Sequence, residues 1–220
     1  LFLTFLFAQK EHPSIHQEQL KHFKKKPSPP VEKIHVLTGL DVLLEKKQYV
    51  VQGKSIALVT NHSGIDRFGN PNFRKLMTMD DVNLKIIFSP EHGLFGEADA
   101  GEKISYSEID LNLPEVISLY GKIRKPSAEM LEGIDLILYD IQDIGARYYT
   151  YITTLGLVME TAGELGIPIL VLDRPNPIRG DIIEGPVLNL EFKSFVGHYP
   201  ISIRYGGTVG DLAKMIIKQN

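Results

Sequence analysis

Apolar and polar positions along this chain fall into short blocks that alternate between two periods. Lys54–Thr60 (KSIALVT), Leu84–Phe88 (LKIIF), Asp135–Tyr139 (DLILY) and Gly166–Asp173 (GIPILVLD) are runs rich in branched side chains and too short for helices, which predicts buried strands. Glu115–Leu119 predicts a further short strand. Helical spacing separates them: Leu40, Leu43 and Leu44 share a face, Asn72 to Met79 and Pro126 to Gly133 supply short helices, and Ile152, Leu155, Met159 and Ala162 recur at one turn. Near the end, Thr208-Val-Gly-Asp211 caps a helix that turns Leu212, Met215 and Ile216 inward. Strands bridged by helices need parallel crossovers. The expected fold is therefore α/β, a Rossmann-like doubly wound, mostly parallel sheet with helices on both faces.

Each main strand stops in a polar cluster. The clusters are Asn61/His62, Glu91/His92, Asp140 to Arg147, and Asp173 to Asn176. In a parallel sheet they share one edge, beyond the carboxyl ends of the strands, where open sheets bind ligands. This places Asn61, Glu91, His92, Asp140, Gln142, Asp143, Arg147, Tyr149, Tyr151, Asp173, Arg174 and Asn176 around one cleft. Taken singly, several have plain explanations: Asn61 and Asp143 can cap helices, His92 can be a loop histidine, and Tyr149 and Tyr151 can be surface aromatics. Caps and turns do not explain why Glu, His, Gln, Arg and two Tyr converge. Glu97 to Leu113 reads as a long loop, and loops of that length inside a domain are commonly functional.

Composition narrows the chemistry. With 220 residues and 43% hydrophobic content the chain can bury one substantial core, and its net charge of −3 offers no global attraction to nucleic acid. The absence of cysteine removes disulfides, thiolate metal sites and thiol nucleophiles. No two of the 19 glycines are separated by a single residue, so the dinucleotide fingerprint is absent. Gly53-Lys54-Ser55 imitates a phosphate loop, but Gln48 stands where its first glycine belongs. Neither a G-x-S-x-G elbow nor an H-E-x-x-H motif occurs. A divalent metal held by His62, His92, Asp140 and Asp143 is an alternative, ranked below ordinary hydrogen bonding. No cofactor is expected.

Carboxylate chemistry remains. Glu91 follows a proline and precedes His-Gly, so a short rigid loop presents it at the sheet edge, in a position suited to proton donation. Asp143 is the second candidate, with Arg147 one helical turn later to hold it ionised. Two carboxyls in different surroundings equip glycoside hydrolysis, and Tyr149 and Tyr151 can stack on a sugar ring.

The amino end adds a location. Leu1 to Ala8 is an uncharged apolar run that reads as the tail of a signal peptide, with cleavage after Ala8. Residues 9–33, which include Lys24-Lys-Lys-Pro27-Ser-Pro-Pro30, read as a flexible linker, and 34–220 as the Rossmann-like catalytic domain. The expected location is periplasmic or extracellular.

Several long segments carry a resemblance. Leu58-Val-Thr-Asn-His-Ser-Gly64, Ser89-Pro-Glu-His-Gly93, Ala100-Gly-Glu-Lys103, Ser118-Leu-Tyr-Gly121, Asp140-Ile-Gln-Asp-Ile-Gly-Ala-Arg-Tyr-Tyr-Thr-Tyr151, Leu172-Asp-Arg-Pro-Asn-Pro177 and Glu184-Gly-Pro-Val187 together resemble the exo-β-N-acetylmuramidase family of peptidoglycan hydrolases. His62 departs from the proline that many members carry at that place. The resemblance implies a Rossmann-like amino-terminal domain, a smaller carboxyl-terminal domain across a cleft, and release of terminal N-acetylmuramic acid from peptidoglycan-derived glycans or muropeptides; the smaller domain is expected to be missing from this 220-residue chain, which is then expected to show little or no activity by itself. It makes Glu91 the catalytic acid. The runner-up functions are a cell-wall carbohydrate-binding protein without turnover and a metal-dependent hydrolase.

Overall fold

The structure is a computed structural model that describes residues 36–91, 93–96 and 113–219. Five strands form one sheet: β1 (Lys54–Thr60), β2 (Val82–Ser89), β3 (Glu115–Ser118), β4 (Leu136–Asp140) and β5 (Ile169–Val171). All pairings are parallel and the order is β3-β2-β1-β4-β5. The helices are α1 (Gly39–Lys46), α2 (Asn72–Met77), α3 (Tyr151–Leu165) and α4 (Val209–Gln219).

Both faces of the sheet are covered, and the strand period sorts the side chains between them. Ile56 and Leu58 of β1, with Leu136 and Leu138 of β4, pack with Leu40 and Leu43 of α1 and Phe73 and Leu76 of α2. Their neighbours Ala57, Val59, Ile137 and Tyr139 pack on the other side with Leu155, Val158 and Ala162 of α3 and Val209 and Ala213 of α4. The doubly wound, parallel architecture predicted from the sequence is the one found, and it is parallel throughout the described residues.

Element ends moved for local reasons. The Pro126 to Gly133 helix shrinks to one 3-10 turn, Glu129–Leu131. The strand expected from Gly166 begins only at Ile169, because the residues before it close α3. Gly166 takes a left-handed φ of 68°, Ile167 N–H donates to Ala162 at 2.9 Å and Gly166 N–H to Gly163 at 3.3 Å, which is a Schellman cap. Thr38 and Asp41 form a capping box on α1, and Thr208 and Asp211 exchange the same pair of bonds at α4.

The strand order reverses direction between β1 and β4, since β1 is flanked by β2 on one side and β4 on the other. In such sheets the crevice for a ligand opens at that switch point, beyond the carboxyl ends. Thr60 is paired with Asp140 there, the last residues of the two strands.

Candidate active site at the carboxyl edge of the sheet

Beyond Thr60 and Asp140 the chain spends most of its polar side chains on holding the edge together. Asp140, fully buried, accepts from Arg174 Nε at 2.6 Å and Nη2 at 3.1 Å, and from Asn72 Nδ2 at 2.8 Å. Burial pushes its carboxyl above the ordinary range, while Arg174 and Asn72 oppose the shift. The second nitrogen of Arg174 also reaches the Ile65 carbonyl at 2.9 Å. This pair ties β4, the turn after β1 and the turn after β5 into one unit. Asp173 anchors the start of α4, accepting from Thr208 Oγ1 at 2.5 Å and Gly210 N–H at 2.9 Å. Asn176 donates to the Gly207 carbonyl at 2.9 Å, and Gln142 donates to the carbonyls of Asp143 at 2.7 Å and Pro175 at 3.0 Å.

Arg147 departs from the sequence expectation. A helical turn was to place it beside Asp143, but residues 141–150 are not helical: Gly145 has φ 84° and α3 starts only at Tyr151. Arg147 is buried and gives its guanidinium to the carbonyls of Pro186, at 2.9 Å, and Ile201. It braces the 184–204 segment and does not hold Asp143 ionised.

Asp143 finds other partners. It is 2% exposed, and its Oδ2 accepts from Gly145 N–H at 2.8 Å and from the Tyr205 hydroxyl. Burial raises its carboxyl, with the Tyr205 hydrogen bond and the Gly145 and Ile144 amides working against that rise. Burial and the neighbouring Asp143 charge push the Tyr205 phenol strongly up, so it stays the donor of the pair. Asn61, at the end of β1, is equally buried; its Oδ1 accepts from Ser63 N–H at 2.9 Å and Ser63 Oγ at 2.6 Å, and Ser63 Oγ in turn accepts from Gln142 N–H at 2.9 Å.

Glu91 stands apart from this bracing. It follows β2, is half-buried, and receives Thr150 Oγ1 on its Oε2 at 3.3 Å. The Glu91 carboxylate is the first reason the nearby Tyr120 phenol is raised. Tyr151 is raised by burial first and then by the charges of Glu91 and Asp143, with the Asn61 amide beside it pulling the other way. The Tyr151 phenol thus feels the charge of both carboxylates as well as the Asn61 amide. Tyr149, 46% exposed, meets Tyr151 edge to face with ring centroids 6.2 Å apart.

The edge therefore brings together Asn61, Glu91, Asp143 and Tyr151, with Tyr149 at their rim. It sets Asp140, Arg174, Asp173, Asn176, Gln142 and Arg147 around them as framework. His92 and most of the Glu97 to Leu113 loop lie outside the described residues, and with His92 goes any test of its part in a metal site. Tyr120 and Thr150, which touch Glu91, and Tyr205, which touches Asp143, were not singled out from the sequence. Tyr120 had a usable signal, since it lies two residues beyond β3 and so repeats the rule of polar groups after strands. Tyr205 had none, being 62 residues away from its partner.

This geometry has relatives. Residues 56–220 match a family profile described as the amino-terminal part of the exo-β-N-acetylmuramidase NamZ. Over 189 residues the chain is 46% identical to the peptidoglycan β-N-acetylmuramidase NamZ of Bacillus subtilis (strain 168), covering 86% of this chain and 45% of that protein. Two crystal structures of DUF1343 family proteins from Bacteroides fragilis NCTC 9343 share the fold. One has a TM-score of 0.76 at 42% identity, over 83% of this chain and 46% of that one. The other has a TM-score of 0.69 at 34% identity, over 84% of this chain and 47% of that one. The chain spans less than half the length of each of these three relatives.

Proposed function

Since the chain belongs to the NamZ family of exo-β-N-acetylmuramidases through its amino-terminal part, we propose that it supplies the catalytic-acid wall of an exported glycosidase that removes terminal N-acetylmuramic acid from peptidoglycan fragments. The observation that carries this reading is the placement of Glu91. At the switch-point edge Glu91 is half-buried and accepts from the Thr150 hydroxyl, whereas Asp140 is locked into an ion pair with Arg174 and Asp143 is sealed in the core.

In the proposed reaction Glu91 donates its proton to the glycosidic oxygen as the C1–O bond breaks. Water adds its hydroxyl to C1, and the remaining water proton returns to the acid. Asp143 is the second carboxyl, buried where Glu91 is open, which is the asymmetry that separates acid from partner in paired-carboxylate sites. Tyr149 offers an exposed ring at the rim for the sugar face. Export is supported by the apolar run Leu1 to Ala8 and the polar, proline-rich stretch after it.

The test is product analysis with the full-length protein on defined peptidoglycan fragments. The expected result is free N-acetylmuramic acid from chains whose non-reducing end is that sugar, and none from chains capped by N-acetylglucosamine. Cleavage at internal bonds, or tight binding of the fragments with no sugar released, would contradict the proposal.

A further inference from the structure

Among the described residues, five buried side-chain polar atoms have no hydrogen-bond partner: Asn61 Nδ2, Ser89 Oγ, Asp143 Oδ1, Thr153 Oγ1 and Arg204 Nε. Four of the five stand at strand ends or at the start of the helix that follows β4. Asn61 follows β1, Ser89 ends β2, Asp143 follows β4, and Thr153 is in the first turn of α3. An unsatisfied buried polar group costs about 1–3 kcal/mol, so native proteins keep few of them, and a cluster calls for a ligand or a function.

Two of these atoms are complementary. Asn61 Nδ2 stands near the Tyr151 phenol without a hydrogen bond of ordinary geometry to it, and Asp143 Oδ1 is an acceptor without a donor. Both side chains are 2% exposed and both are fixed at their other end, Asn61 by Ser63 and Asp143 by Tyr205 and Gly145. They are also linked: Ser63, which holds Asn61, accepts from the amide of Gln142, the residue before Asp143.

We infer that Asn61 Nδ2 and Asp143 Oδ1 together hold the 2-acetamido group of the sugar, the donor on its carbonyl oxygen and the acceptor on its N–H. The inference rests on the muramidase reading and goes beyond it by assigning the group at C2. A planar acetamide carries an acceptor and a donor on opposite sides, which is the match for a donor and an acceptor presented from two neighbouring strand ends. The lactyl carboxylate of muramic acid carries only acceptors and would face Asp143 with like charge. A single hydroxyl has one oxygen to offer to the two positions. The free atoms are shut off from solvent, so the sugar reaches them by displacing a neighbour.

The experiment compares two nitrophenyl β-glycosides with the full-length protein: that of N-acetylmuramic acid and its counterpart with a 2-hydroxyl in place of the acetamido group. Sites built to hydrogen-bond a substrate group reject the analogue that lacks it, so the wild type should prefer the acetamido glycoside by about a hundredfold or more in kcat/KM. Asn61→Ala and Asp143→Asn should each shrink that preference by about tenfold or more. A ratio of two substrates on one preparation does not depend on the fraction of protein that is folded. If neither variant can be purified, calorimetry of the wild type with the two free sugars decides: tighter binding of the acetamido sugar supports the assignment, and equal binding overturns it. An unchanged preference in the variants, or none in the wild type, overturns the acetamido assignment alone. No turnover of either glycoside by the wild type overturns the muramidase reading and this assignment with it.

Discussion

At the scale of single residues, the distinction that matters is between polar groups that are consumed by the fold and those left available. Asp140 and Arg174 belong to the first kind, with side chains 0% and 6% exposed. Removing one partner of a buried pair leaves the other uncompensated, so Arg174→Met should cost about 3–5 kcal/mol in denaturant unfolding at neutral pH. The pH dependence follows from Asp140, whose carboxyl burial already raises and which Arg174 opposes. A carboxyl raised on folding favours the folded state below its unfolded value, and that contribution is lost as pH rises through its folded value. The penalty in Arg174→Met should therefore be smaller at pH about 4 than at pH about 7, where the lone carboxylate must ionise or stay strained. An equal penalty at both pH values would mean that the pair contributes packing and not charge. Asp140 and Arg174 could be placed at the strand ends from their motifs but not given this role, because a motif shows where a charge stands and not which partner absorbs it.

Among the elements, the strand ends carry the site and the helices are pinned to them. Asp173 fixes α4 by accepting from Thr208 and Gly210, and a Cβ on Gly210 would come within 2.7 Å of its Oδ2. Asp173→Ala removes both acceptors, and should lower stability by about 1–2 kcal/mol and speed amide exchange across Val209–Gln219. Unaltered exchange in that helix would show that its packing alone holds it. Element type was legible wherever the period was clean, as in β1, β4 and α3. What was not legible was the turn 141–150, where helical spacing from Asp143 to Arg147 predicted a contact that the left-handed Gly145 prevents. A glycine that redirects the chain cannot be told in sequence from one that merely tolerates a turn.

For the molecule as a whole, parallel topology turned a list of strand ends into one edge, and that step was available from the sequence because βαβ units permit few arrangements. The order β3-β2-β1-β4-β5 adds what the sequence lacked, the neighbours of each end: Glu91 with Tyr120 and Thr150, Asn61 and Asp143 about Tyr151. Contacts such as that of Tyr205 with Asp143 depend on how a distant segment returns to the sheet, and no local pattern encodes them. In the proposed reaction Glu91 donates the proton that releases the sugar. The most direct test is the turnover of a nitrophenyl β-N-acetylmuramoside by the full-length protein and by its Glu91→Gln variant, with substrate binding measured in parallel. Loss of turnover by about 10²–10⁴ with binding retained is the predicted result, since the amide keeps the shape of the acid but cannot give up a proton; turnover within about a factor of two of the wild type would contradict it.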